Sequence, residues 1–95
     1  MNRAEVETLD ASHTWWSPAV RAPQRDWPGM PGCRTGARFL IDEHSRRPAR
    51  DNYPVFETRT QCLEWIMAHR AELVRTAPGA TVAPVSLQRW LLGLE

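Results

Sequence analysis

Five side chains in this chain have the right chemistry to bind a metal or attack a carbon: His13, Cys33, His44, Cys62 and His69. None of them stands at C-x₂-C, H-x₃-H or any other ligand spacing, so the pattern implies no metal site. Cys33 or Cys62 with a histidine would make a nucleophile and base, but no local signature surrounds either cysteine. Asp42 and Glu43 are adjacent, and on a strand adjacent side chains point to opposite faces and cannot share a substrate. The glycines of "GMPGCRTG" are not followed by the Lys-Ser/Thr of a phosphate loop and lack dinucleotide-binding spacing. The expectation is a protein with no catalytic residues, metal or cofactor.

Two other groups of residues are suited to binding. Arg46, Arg47 and Arg50 fall within five residues, with Arg59 shortly after. Guanidinium groups hold phosphate and carboxylate through paired hydrogen bonds, and each phosphate contact adds salt-dependent affinity. The same run also reads as a solvated turn, with Asp51 and Glu57 offsetting part of the charge. Trp15 and Trp16 are the second group. Adjacent tryptophans stack on bases or anchor a protein interface, or they cover the open side of a long helix as a lid. These six residues, Trp15, Trp16, Arg46, Arg47, Arg50 and Arg59, are the candidate contacts.

The chain has 95 residues, enough for one small domain with one core. All twelve basic residues are arginine; the abundance of Arg, Pro and Ala fits a GC-rich coding bias as well as selection for guanidinium chemistry. Net charge is +1, so no global field draws the protein to nucleic acid or membrane. Locally, residues 46–59 hold four arginines against two acids, while residues 1–45 hold five against six and residues 60–95 three against three. No apolar run approaches the ~18 residues of a membrane span. The first residues carry acids where an export signal needs an apolar stretch, and two cysteines make no disulfide framework, so a cytoplasmic location is expected.

The elements that must position these residues are legible in part. Residues 1–36 hold four of the eight prolines and read as weakly structured, with a short helix over 3–10 carrying Val6 and Leu9 on one side. Three tryptophans in that segment imply that it wraps over the domain or docks on a partner. Residues 37–95 read as the compact part. "ARFLIDE" (37–43) and "YPVFE" (53–57) read as strands of an antiparallel hairpin, with Pro54 marking an edge. Thr58-x-x-Gln61 is a capping box, and it opens a helix over 59–76 that Pro78 and Gly79 end. On that helix Trp65, Cys62, Leu73, Ile66, Leu63, Val74 and Met67 span about 200°, an arc wide enough to need covering from two sides. Arg70 falls inside it and is expected to snorkel or to pair with Asp42, Glu43 or Glu57. Thr81 to Val85 read as a short strand, and Ser86 caps either a final helix with Leu87, Trp90, Leu91 and Leu94 on one side or a continued strand.

Phe56-x-Thr58 followed by Trp65-Ile66, behind a hairpin, resembles the arm-type DNA-binding domain of phage tyrosine recombinases over residues 37–77. The resemblance implies a three-stranded sheet laid in a DNA groove with the helix packed behind it. Pro-rich sequence stands where that family has its first strand, and no functional residue carries over. The fold expected is α+β: a hairpin, or a three-stranded antiparallel sheet, on one main helix, with a short C-terminal helix and a Pro-rich N-terminal segment. The function expected is a small regulatory or inhibitory binding protein of the phage or mobile-element kind, docking on a protein partner such as nucleic-acid machinery. DNA or RNA binding through the arginine loop is the alternative.

Overall fold

A computed structural model describes residues 1–21, 38–44, 52–76 and 79–94, the side chains of Arg3 and Thr76 excepted. The domain is α+β. Helix α1 (Arg3–Val6) precedes strand β1 (Trp16–Arg21), then come β2 (Arg38–Leu40), α2 (Arg59–Ala68), α3 (Arg70–Thr76), β3 (Thr81–Ser86) and α4 (Leu87–Leu91). The strands form one antiparallel sheet in the order β2-β1-β3.

The middle strand is the one that composition hides. Residues 1–36 were expected to be weakly structured, yet residues 16–21 supply the centre of the sheet, paired over six residues with β3 and over three with β2. Pro18 is compatible with that place because of the ladder's alternation. Even-numbered residues of β1 turn their backbone groups toward β2, where the Pro18 carbonyl accepts from the Ile41 N–H at 3.3 Å. Pro18 cannot return that bond, and the β2 ladder ends there. Toward β3, Pro18 faces Pro84 in a non-hydrogen-bonded pair, so neither missing N–H breaks the ladder. Pro84 instead lacks an N–H on the sheet's outer edge, where it blunts pairing with another strand.

The expected hairpin is corrected as well. Residues 37–43 and 53–57 do not lie side by side; each adds to the same edge of β1. β2 pairs with residues 19–21, and Phe56 makes an isolated bridge with Trp16 through two bonds of 2.8 Å. β2 and Phe56 thus lie on the same edge, and between them in sequence the Glu43 N–H donates to the Asn52 carbonyl at 3.0 Å. Pro54, expected on an edge strand, lies outside the strands and is buried, and its carbonyl accepts from the buried Ser17 hydroxyl at 2.8 Å.

Side chains alternate across β1, and both sets are covered. Ala19 and Leu40 join Val6, Tyr53, Val85 and Leu87 in one cluster, with Leu9, Trp15, Trp90 and Leu91 packed around it. Val20 and Ile41 meet Leu73 on the other face, with Phe39, Trp65 and Val82. Ser17, Pro18, Ala19 and Val20 are therefore all buried. A strand buried on both faces shows no polar alternation in its sequence.

Candidate functional site

Helix α2 begins as its sequence requires. The Gln61 N–H donates to the Thr58 hydroxyl at 3.1 Å and the Thr58 N–H to the Gln61 side-chain carbonyl at 3.3 Å, closing the capping box. The helix expected over 59–76 is divided at His69, whose ring Nδ1 lies 2.8 Å from the Trp65 carbonyl oxygen. Helical bonds still run through the division, from the His69 N–H to Trp65 at 3.1 Å and from the Leu73 N–H to His69 at 3.0 Å. The 100° periodicity therefore holds across both helices.

That periodicity divides the surface into a seam and two flanks. Cys62, Ile66 and Leu73 form the seam, buried against the sheet. The wide apolar arc was expected to be covered on both sides, and here the structure corrects it. Met67 is 71% exposed and Val74 53% exposed, because the narrow three-stranded sheet reaches only the seam. Arg70, expected to snorkel or to pair with Asp42, Glu43 or Glu57, is exposed beside them. Ile66, Met67, Arg70, Leu73 and Val74, with Val82 of β3, line a groove of about 340 Å³. Arg59 falls on the same flank one turn before Leu63, exposed at the start of α2.

The opposite flank has different chemistry. Gln61, Glu64, Trp65 and Ala68 follow one another at i, i+3, i+4 and i+7, and Phe56 and Glu57 stand at their foot. With His69 they line an open concavity of about 620 Å³. Its rings are close: Trp65 and His69 have centroids 4.4 Å apart and planes 33° apart, and Phe56 lies 6.2 Å from Trp65. A carbonyl only accepts, so the short contact to Trp65 assigns the hydrogen to His69 Nδ1 and leaves Nε2 an acceptor in the neutral ring.

The six residues singled out from sequence do not form one cluster among the described residues. Arg46, Arg47 and Arg50 lie outside the described residues. Arg59 is exposed on the apolar flank. Trp15 and Trp16 are half-buried. The Trp15 indole N–H donates to the Asp10 carbonyl at 3.0 Å, and its ring packs on the cluster around Leu87. The Trp15 backbone N–H donates to the Gln88 side-chain carbonyl at 3.0 Å, and the Gln88 amide donates to the His13 carbonyl, so α4 grips residues 13–15. Trp16 is held in the bridge to Phe56.

Cys62 is fully buried, and burial pushes its thiol up to about 12, so at neutral pH it is a protonated core side chain. Among the described residues no three His, Cys, Asp or Glu side chains gather as metal ligands, and no helix is long and apolar enough to cross a membrane. The concavity on α2 was legible only in hindsight. Its signal was Glu64 and Trp65 at helical spacing from Gln61 and Ala68, but the width of the apolar arc assigned Trp65 to the core alone. Compared with known protein families, curated proteins and solved structures, the chain matches none.

Proposed function

We propose that this chain is a non-catalytic docking module, a small regulatory or inhibitory accessory protein of the cytoplasm that binds a protein partner through the exposed flank of α2 and α3. The observation that carries the reading is the exposure of Met67 and Val74 beside Arg70 and the groove toward β3. A small domain with little apolar surface to spare gains nothing in stability from leaving two such side chains in water. Methionine is unbranched and polarizable, so it adapts to a partner's surface, and arginine is enriched where interfaces form. The tryptophans proposed as docking residues from sequence serve as covers in this reading, and the helix flank takes over the docking role.

The test is site-specific photo-crosslinking in cells that naturally express the protein. A photoreactive residue at Met67 or Val74 is expected to give the same discrete protein adduct, and one at the exposed Thr8, after α1 and on the other face of the sheet, none. Absence of adducts at both flank positions, or adducts containing only nucleic acid, would overturn the reading. The latter outcome would favour the arginine loop as a nucleic-acid contact.

A further inference from the structure

The groove beside Met67 and Val74 runs along an open strand edge. We infer that its occupant is an extended segment of the protein partner, carrying an apolar side chain and a carboxylate, that adds to β3 as a fourth strand. The inference rests on the docking reading for the place, and it adds the form and charge of what binds there.

The two flanks of the main helix overhang opposite edges of the sheet. Phe56, bridged to β1 on the β2 edge, lines the concavity beside Trp65, whereas Ala80, Thr81 and Val82 line the groove with Met67, Arg70 and Val74. β3 is the last strand on the groove side. The phase of its ladder is fixed one step past the strand, where the Leu87 N–H donates to the Trp15 carbonyl at 2.8 Å. Thr81, Ala83 and Val85 therefore bond β1, and the backbone groups of Val82 and Pro84 point outward. Val82 offers an N–H and a carbonyl at the rim of the groove, and no described residue bonds either one. Pro84 offers a carbonyl alone, which confines pairing to the end of β3 that borders the groove.

These groups select the occupant. A helix lying in the groove has its backbone bonded internally, so it would cover the Val82 N–H and carbonyl without pairing them. An extended segment returns both bonds and donates a third to the Pro84 carbonyl. The residue opposite Val82 then turns its side chain to the same face as Val82, which packs with Leu73, and so into the groove. Charge narrows the choice. Arg70 is the one charged residue among those lining the groove, and it is exposed. A carboxylate two residues along the segment lies on that same face and pairs with it.

The experiment titrates ¹⁵N-labelled protein with acetyl-Thr-Glu-Thr-Ile-Thr-Glu-Thr-amide, whose isoleucine has a carboxylate two residues away on either side. Binding in the millimolar range is expected, with shifts at the amides of Met67, Arg70, Val74 and, above all, Val82. Methylating the isoleucine nitrogen removes a pairing N–H and should weaken binding at least about tenfold. Methylating the next threonine nitrogen, which points away from β3, should change binding less than about twofold. Lysines in place of the glutamates, or R70Q against the original peptide, should weaken binding about threefold. Val82→Pro removes an outward N–H, leaves the β1 ladder whole and should match the isoleucine methylation; the methylated peptides keep the test open if that variant is destabilised. Equal binding of the two methylated peptides, shifts at Met67 and Val74 with Val82 unmoved, as a docked helix would give, or no binding at several millimolar peptide would each overturn the inference. The docking reading fails separately, by missing crosslinks at Met67 and Val74 in the unaltered chain, whatever the titration gives.

Discussion

Ser17→Ala tests the least expected feature of the fold, the threading of an N-terminal strand through the centre of the sheet. Ser17 has no exposed surface, and its hydroxyl donates to the Pro54 carbonyl at 2.8 Å, 37 residues away. Pro54 has no N–H, so this side-chain bond and the Trp16–Phe56 bridge next to it hold residues 53–56 against β1. The alanine variant leaves the Pro54 carbonyl buried without that donor. An unsatisfied buried polar group costs about 1–3 kcal/mol, and burying a methyl group in place of a hydroxyl recovers part of it. A net loss of about 1–2 kcal/mol is expected. At about 4–8 °C per kcal/mol for a domain of this size, the midpoint of thermal unfolding should fall by about 4–16 °C. Circular dichroism melts and urea titrations measure this, with Thr14→Ala, at an exposed position, as a control expected within about 0.5 kcal/mol of the parent. Hydrogen exchange adds a local readout, since the amides of Trp16 and Phe56 should be protected in the parent and less so in the variant. A midpoint shift under about 2 °C, or unprotected Trp16 and Phe56 amides in the parent, would refute the threading.

The remaining predictions concern the main helix. Thr58→Ala removes the hydroxyl that accepts from the Gln61 N–H and is expected to cost about 1 kcal/mol, read as a lowered urea midpoint with unchanged slope. In a Cys33→Ser background, Cys62 should resist a thiol reagent at pH 8 and react fully once urea unfolds the chain. With its folded-state value raised to about 12 from 9.0, the native thiol holds its proton where the unfolded one has lost it. The Cys62 contribution is therefore fully present below about pH 9 and declines as pH rises from about 9 to 12, which urea midpoints across that range should show unless Cys62 is replaced.

What could be read from sequence, and what could not, follows from how local each signal is. The capping box needs only Thr58 and Gln61 three residues apart, and both of its bonds are present. Ser86 likewise caps α4, accepting from the Arg89 N–H at 3.4 Å, and Leu87 is fully buried behind it. The strand at 81–86 also forms where its residues imply. β1 was hidden because its evidence is not local. Pro18 reads as a breaker until Pro84 and Ile41 are placed opposite it, and Ser17 reads as a loop residue until Pro54 arrives to accept its bond. The partner of "ARFLIDE" was misassigned for the same reason, since pairing with residues 53–57 requires a short loop and pairing with β1 requires crossing residues 22–37. The candidate surface was partly visible. The width of the apolar arc implied more apolar side chains than one sheet face needs, and the expectation that both sides of it are covered failed at Met67 and Val74, which are exposed.

The near-neutral charge of this chain conceals an ordered arrangement along one helical axis. Counted along the sequence, the only positive excess falls on residues 46–59. Wound into a helix, Arg59 and Arg70 flank the exposed Met67 and Val74 on one side, while Glu57 and Glu64 flank Trp65 on the other. Such a division matters more to association than net charge does, because potentials of opposite sign on neighbouring surfaces fix how a partner approaches. Under the proposed docking role, a partner presenting an acidic, apolar face beside a basic segment would satisfy both flanks in one orientation. Reversing it places arginine on arginine and carboxylate on carboxylate, which costs binding energy at both contacts. Under that role the two flanks would define a direction for docking as well as a place, and charge reversal on one flank alone, such as Arg70→Glu, should lower affinity without moving the partner to the other.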